Sequence, residues 1–314
     1  MSDHNTNKAP KDESPRLRIL VIGSTGFWGR NVAAVLAAAG HDVFEANRTT
    51  GGKDGTYQVD LLQPVTIGNV LDQVKPEVII NCAGVVDASQ SFDNNRIFTA
   101  NILDQISSKK MKPRQIVVAG SAAEYGVVRP EDIPVDEDAP LNATSPYGMS
   151  KVKETMAAST LGRAYRLPVV VARIFNPIGP GMGPRFLVPR ILAQIEEIKQ
   201  GTRDAIELSR LDAERDCLDV RDAAEAVRAI IEGEPKANVY CIGSGVATSN
   251  GQLVKLLLEG SGLPPETPVR ETSVEKEPLV ASRANIDRIQ GEFGWKPIRS
   301  IEETIGEIVH AEVS

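Results

Sequence analysis

Short, almost wholly apolar runs separated by amphipathic stretches set the rhythm of the first half of the chain. Leu17-Arg18-Ile19-Leu20-Val21-Ile22 has strand length and ends in glycine; 31–39 reads as a helix with Gly40 as its stop. Asp42-Val43-Phe44-Glu45-Ala46 predicts a second strand. Segments 77–81, 115–120 and 168–173 predict further strands, with helices near 64–74, 91–109 and 146–165 between them. This alternation predicts right-handed βαβ units and a parallel sheet. The strands hold few polar positions, which fits burial on both faces. The expected fold class is α/β, a Rossmann-type parallel sheet with helices on both faces and a smaller C-terminal lobe.

The pattern breaks after Asn176. Pro177-Ile178-Gly179-Pro180-Gly181-Met182-Gly183-Pro184 is too rich in Gly and Pro for a helix or strand and reads as a hinge. Segments 216–220 and 238–242 again look like strands of the sheet. The first domain is therefore expected to be discontinuous, 17–177 with 215–242, and the substrate-binding lobe to be 178–214 with 243–314. Residues 1–16, polar and Pro-containing, read as a disordered tail.

Composition narrows the function classes. The chain has 314 residues, 41% hydrophobic and 25% charged, enough for a buried core without disulfides or metal. Its net charge of −7 comes with no basic run, which argues against nucleic acid or an anionic membrane as partner. Cys82, Cys217 and Cys241 form no C-x-x-C pair, and His4, His41 and His310 are scattered, so no metal site is expected. An odd cysteine count, no apolar signal segment and no long apolar stretch fit a cytoplasmic protein.

Four groups of residues suggest chemistry. Gly23-Ser24-Thr25-Gly26-Phe27-Trp28-Gly29 joins the first strand to the first helix. Glycines there allow a tight turn and close approach of a pyrophosphate, whose charge the helix N-terminus favours; a purely structural turn is the competing reading. Asn47 stands where an acid would bind the adenosine ribose, and Arg48 suits a 2′-phosphate, so NADP(H) is favoured over NAD(H) unless Arg48 is only a solvated surface residue. Glu45 is read as facing away from Asn47. In Ser145-Pro146-Tyr147-Gly148-Met149-Ser150-Lys151, Tyr147 and Lys151 are one helical turn apart, and a nearby ammonium makes a phenol a better proton shuttle. Ser121 ends a predicted strand, where it either orients a substrate oxygen or caps the next turn.

Taken together, the G-x-x-G-x-x-G turn, Ser121, and Tyr147-x-x-x-Lys151 resemble the extended short-chain dehydrogenase/reductase family. Asp60-Leu61, Asn101, Arg173-Ile174-Phe175-Asn176-Pro177, Arg215-Asp216 and Phe293-Gly294-Trp295-Lys296-Pro297 extend the resemblance over nearly the whole chain. It implies a nucleotide-sugar enzyme in which Ser121 and Tyr147 hold the sugar oxygen and Lys151 the nicotinamide ribose. Gly23, Thr25, Gly26, Phe27, Trp28, Gly29, Asn47, Arg48, Asp60, Leu61, Cys82, Ala83, Gly84, Asn101 and Phe175 would line the cofactor. Glu124, Asn176, Arg190 and Arg215 would face the substrate, the arginines at its diphosphate, unless Arg215 pairs internally with Asp219 or Asp222.

The segment Gly120-Ser121-Ala122-Ala123-Glu124-Tyr125-Gly126 looks most like reductases of GDP-4-keto-6-deoxymannose. Ala122 and Ala123 replace the acids of the family's dehydratases, and Glu124 sits one place too late. The expected activity is NADPH-dependent reduction of a keto group on a nucleotide-activated deoxysugar. The alternatives are an epimerase with retained NAD(P), a ketoreductase of a secondary metabolite, and a non-catalytic dinucleotide sensor. The resemblance also implies a homodimer formed by the helices near 91–109 and 146–165.

Overall fold

A computed structural model describes residues 16–49, 55–86, 93–272 and 281–313. The expected N-terminal tail lies outside them, apart from Arg16. The chain runs β1 (Arg18–Ile22), α1 (Phe27–Ala38), β2 (Asp42–Asn47), β3 (Thr56–Gln58), α2 (Pro64–Val74), β4 (Val78–Asn81), α3 (Asn94–Ser108) and β5 (Gln115–Ser121). After a 3-10 turn over Ala122–Glu124 come α4 (Pro146–Tyr165), β6 (Val169–Ile174), β7 (Pro177–Ile178), α5 (Leu187–Lys199), β8 (Ile206–Leu208), β9 (Glu214–Asp216) and β10 (Leu218–Asp219). The last third holds α6 (Val220–Glu232), β11 (Val239–Ile242), β12 (Ala247–Ser249), α7 (Asn250–Ser261), β13 (Val269–Glu271), β14 (Ala281–Ser282), α8 (Asp287–Phe293) and α9 (Ile301–Val313).

The central sheet has seven strands in the order β11-β6-β5-β4-β1-β2-β3, every pair parallel. Its alternating residues feed two cores. Ile19 and Val21 pack with Val32 and Leu36 of α1 and Val227 and Ile230 of α6 on one face. Leu20 and Ile22 pack with Leu71, Ile102, Leu103 and Ala158 of α2, α3 and α4 on the other. This two-sided burial is why the strands lack polar alternation. A third core gathers α5, α7 and α9 around Ile191, Leu257 and Ile308.

Two expectations about the second half need correction. Segment 216–220 is not a strand of the main sheet: β9 and β10 belong to separate small sheets, and α6 starts at Val220, where the Asp219 carboxylate accepts from the Arg221 N–H. The stretch 243–314 also does not pack as one body with the third core. Ile289 and Trp295 lie in the first core, and the Asp222 carboxylate accepts from the Ile298 and Arg299 N–H groups.

Candidate active site

The ends of β1, β2 and β4 converge on the glycine turn. Gly23 has φ +84°, and a Cβ on it would stand 2.6 Å from Ala83 N; a Cβ on Gly29 would stand 2.2 Å from Gly23 O. Only glycine at both positions lets helix, strand and the 82–83 backbone meet. Thr25 and Gly26 are exposed at the turn. The Gly26 N–H bonds Gly23 O and that of Arg30 bonds Gly26 O; with no side-chain cap on α1, the N–H groups of Phe27, Trp28 and Gly29 between them stay open to an anion. Phe27 lies under the Arg30 guanidinium and Trp28 packs on the first core, so what these two present to the turn is main chain. The cradle fits a dinucleotide pyrophosphate.

Around it, the Cys82 N–H bonds Ile22 O, and the Ala83 N–H bonds Asn81 Oδ1, carrying the chain past Gly23 to the exposed Gly84. Asn47 ends β2, buried, its side-chain oxygen accepting from the Thr49 N–H. Arg48 is exposed beside it. Glu45 does not face away from Asn47: residues two apart in a strand share a face, and it is Ala46 that points into the opposite core. Past β3, Asp60 accepts from the Leu62 N–H, and Asn101 of α3 donates to Leu61 O at 2.7 Å.

The helix α4 is docked on the end of β5. Ser145 caps it, accepting from the Gly148 N–H, and Pro146 fits its first turn. A Cβ on Gly148 would meet Ala123 O at 2.3 Å, so this glycine lets the helix start touch the turn after Ser121. Lys151 reaches back to Ala119 O at 2.5 Å. Ser121, between these two contacts, accepts from the Ala123 N–H through its hydroxyl. Tyr147 is half-buried, and its hydroxyl has no hydrogen-bond partner among the described residues. The structure thus gathers Ser121, Tyr147 and Lys151 at the carboxyl edge of the sheet, beside the glycine turn.

The substrate-side residues divide. Glu124 does not face a substrate: it is fully buried, ion-paired with Arg173, and accepts from the Ser121 N–H at 2.7 Å and the Thr155 hydroxyl at 2.9 Å. An unpaired carboxylate there would be costly, and Arg173 supplies its counter-charge. Phe175 is also fully buried, its ring against Tyr125, so its side chain is not available to a cofactor. Asn176 is half-buried and donates to Asp216 O. Arg190 is exposed on α5. Arg215 is half-buried and has no ion pair among the described residues; Asp219 is taken by Arg221 and Thr304, and Asp222 by Arg299, which removes the internal pairing as an alternative.

Two residues without a site role in the sequence reading hold others in place. The buried Asp216 carboxylate accepts from the Ser244 N–H and hydroxyl and from the Gly245 and Ala284 N–H groups, fixing the strand that carries Arg215. Glu154 pairs with Lys151; its one sequence signal is an acid three residues after a lysine in a helix. Burial pushes the thiols of Cys217 and Cys241 up to about 12, so neither is a nucleophile at neutral pH. Among the described residues no helix is long and apolar enough to cross a membrane, and no three metal-ligating side chains cluster.

Comparison with known proteins follows the same lines. The model of the NAD dependent epimerase/dehydratase family matches residues 19–243. The chain is 28% identical over 308 residues to GDP-6-deoxy-D-mannose reductase of Pseudomonas aeruginosa, covering 93% of this chain and 96% of that one. It is 26% identical to dTDP-6-deoxy-L-talose 4-dehydrogenase (NAD(P)(+)) of Kitasatospora kifunensis, covering 94% and 95%. Among solved structures, RMD from Pseudomonas aeruginosa complexed with NADPH superposes with a TM-score of 0.82 at 25% identity, covering 94% of this chain and 98% of that one.

Proposed function

The chain belongs to the NAD dependent epimerase/dehydratase family, and from that premise we propose that it reduces a keto group on a nucleotide-activated deoxysugar with NADPH. It is an NAD(P)-dependent enzyme of the oxidoreductase type. The observation that carries the reading is the Tyr147 hydroxyl, free of partners among the described residues, one helical turn from a buried ammonium. When bound, the nicotinamide supplies the hydride for the carbonyl carbon. Tyr147 donates the proton to the carbonyl oxygen, the Ser121 hydroxyl orients that oxygen, and Lys151 holds the nicotinamide ribose.

The exposed Arg48 beside Asn47 supports NADP(H), since no acid stands at the end of β2 to repel a 2′-phosphate; Glu45 on the same face is the opposing influence. Arg215 and Arg190 supply positive charge for a diphosphate in a chain of net charge −7. Glu124, committed to Arg173, offers no acid for dehydration, and Ala122 and Ala123 have none to offer. Residues 178–214, with the parts of 243–314 that join the third core, form the substrate lobe in this reading.

The test mixes the protein with NADPH and GDP-4-keto-6-deoxymannose, and separately with a dTDP-4-keto-6-deoxysugar, and follows NADPH absorbance. Stoichiometric oxidation with one of them supports the reading, and the preferred base identifies the substrate class. Protein that carries tightly bound NAD(H) and interconverts a UDP-sugar without net NADPH use is an epimerase, and the reductase reading then fails.

A further inference from the structure

Glu154 is a buried acid for which the proposed chemistry has no direct use. Its side chain is 1% exposed, and Lys151, with which it is ion-paired, is 5% exposed. The oxygen not facing Lys151 accepts from the Thr99 hydroxyl at 2.7 Å and from the Asn81 amide at 3.4 Å. Lys151 donates a second N–H to Ala119 O. An ammonium has three N–H donors, so two are spent on protein and one remains. Burial by itself disfavours the charged form of a lysine. Here burial lowers the Lys151 pKa and raises that of Glu154, whose carboxyl stands above the ordinary glutamate value although Lys151 and the Thr99 hydroxyl draw it down. On the lysine side the Glu154 carboxylate, with Tyr147 and Glu124, outweighs burial and holds the ammonium above the ordinary lysine value.

We propose that Glu154 is a positioning residue for Lys151: its carboxylate keeps the buried ammonium charged and fixes it between α4 and β5, with a single N–H left for the cofactor face. This rests on the reading in which Lys151 holds the nicotinamide ribose. The surrounding elements offer no substitute. Glu124, in the turn after β5, is engaged by Arg173 of β6; Cys82, after β4, has a thiol that burial pushes up. Towards the pair, β4 presents the neutral Asn81 and α3 the neutral Thr99. The Lys153–Asp93 pair lies at the partly exposed outer edge of α3 and α4. Among the described residues, Glu154 is the one acid in contact with the Lys151 ammonium.

The test follows Lys151 by NMR of protein carrying lysine labelled at the ε carbon, the resonance assigned by its loss in Lys151→Met. In the wild type Lys151 stays charged above the ordinary lysine value of about 10.4. In Glu154→Gln, which keeps the shape and loses the charge, its midpoint falls by about 1–3 units. NADPH affinity, level across neutral pH in the wild type, then declines at alkaline pH in that variant, and Glu154→Asp restores both behaviours. An unchanged Lys151 midpoint in Glu154→Gln overturns the proposal. Should that variant not fold, the wild type decides: a midpoint at or below about 10.4 overturns it. The lysine titration needs neither sugar nor cofactor, so a chain that fails to bind NADPH or reduce a sugar defeats the functional reading and not this one.

Discussion

Replacing Tyr147 by Phe removes one oxygen and leaves the ring, the helix and the glycine turn in place. Turnover is expected to fall by about 10²–10⁴-fold, the usual contribution of a positioned acid, while NADPH binding followed by fluorescence stays near wild type. A variant within a few-fold of wild type would mean that another group donates the proton. Arg48→Ala is expected to weaken NADPH by roughly tenfold, the loss of about one charge-assisted hydrogen bond, and to leave NADH unchanged; equal effects on both cofactors would remove Arg48 from the 2′-phosphate. Glu124→Ala strands Arg173 inside the protein, and urea unfolding should register a loss of about 3–5 kcal/mol. Tyr147 and Lys151 were legible in the sequence because their relation is local, one turn of one helix. Glu124 was not, and was placed at the substrate, because its partner Arg173 lies 49 positions away on β6 and nothing local marks the pair.

At the scale of elements, the strands of the sheet announced themselves as short apolar runs, since burial on both faces leaves little room for alternation, except β3, a Thr-Tyr-Gln strand at the less buried sheet edge. The start of α1 did not. Its hydrophobic periodicity is visible from about residue 31, yet the helix begins at Phe27, because its first turn is built from the phosphate-cradling segment rather than from a core-facing stripe. That makes Gly29 a sharp probe of the element. A methyl group there would stand 2.2 Å from Gly23 O, main chain that cannot swing aside. Gly29→Ala should cost about 1–3 kcal/mol of stability, as overpacking does, and weaken NADPH and NADH together. Unchanged binding of both would separate the turn from the cofactor. The small strands β7 and β8 were hidden for a different reason: two or three residues are too few to show any period, and for the same reason β9 and β10 read as one strand of the main sheet.

For the whole molecule, α3 and α4 pack side by side, and α4 leaves Met149 and Met156 exposed seven residues apart on one stripe. Light scattering should give twice the 33.8 kDa chain mass, and Met156→Glu should shift the protein towards one chain. A monomer in the wild type at micromolar concentration would refute pairing through this face. The path of the chain has a further consequence, for anyone recombining it with a relative. The last strand of the sheet, β11, lies against β6, but the segment between them leaves for the third core and returns. A single crossover between residues 178 and 238 would therefore join β6 of one parent to β11 of another, setting Val239–Ile242 beside a foreign Val171–Ile174 register. It would also set a foreign Trp295 and Ile289 into the first core. Faithful exchange of the substrate lobe takes several junctions that leave β11 and the 287–299 segment with the sheet. A gene library built on one crossover would sample broken sheets before it sampled new substrates.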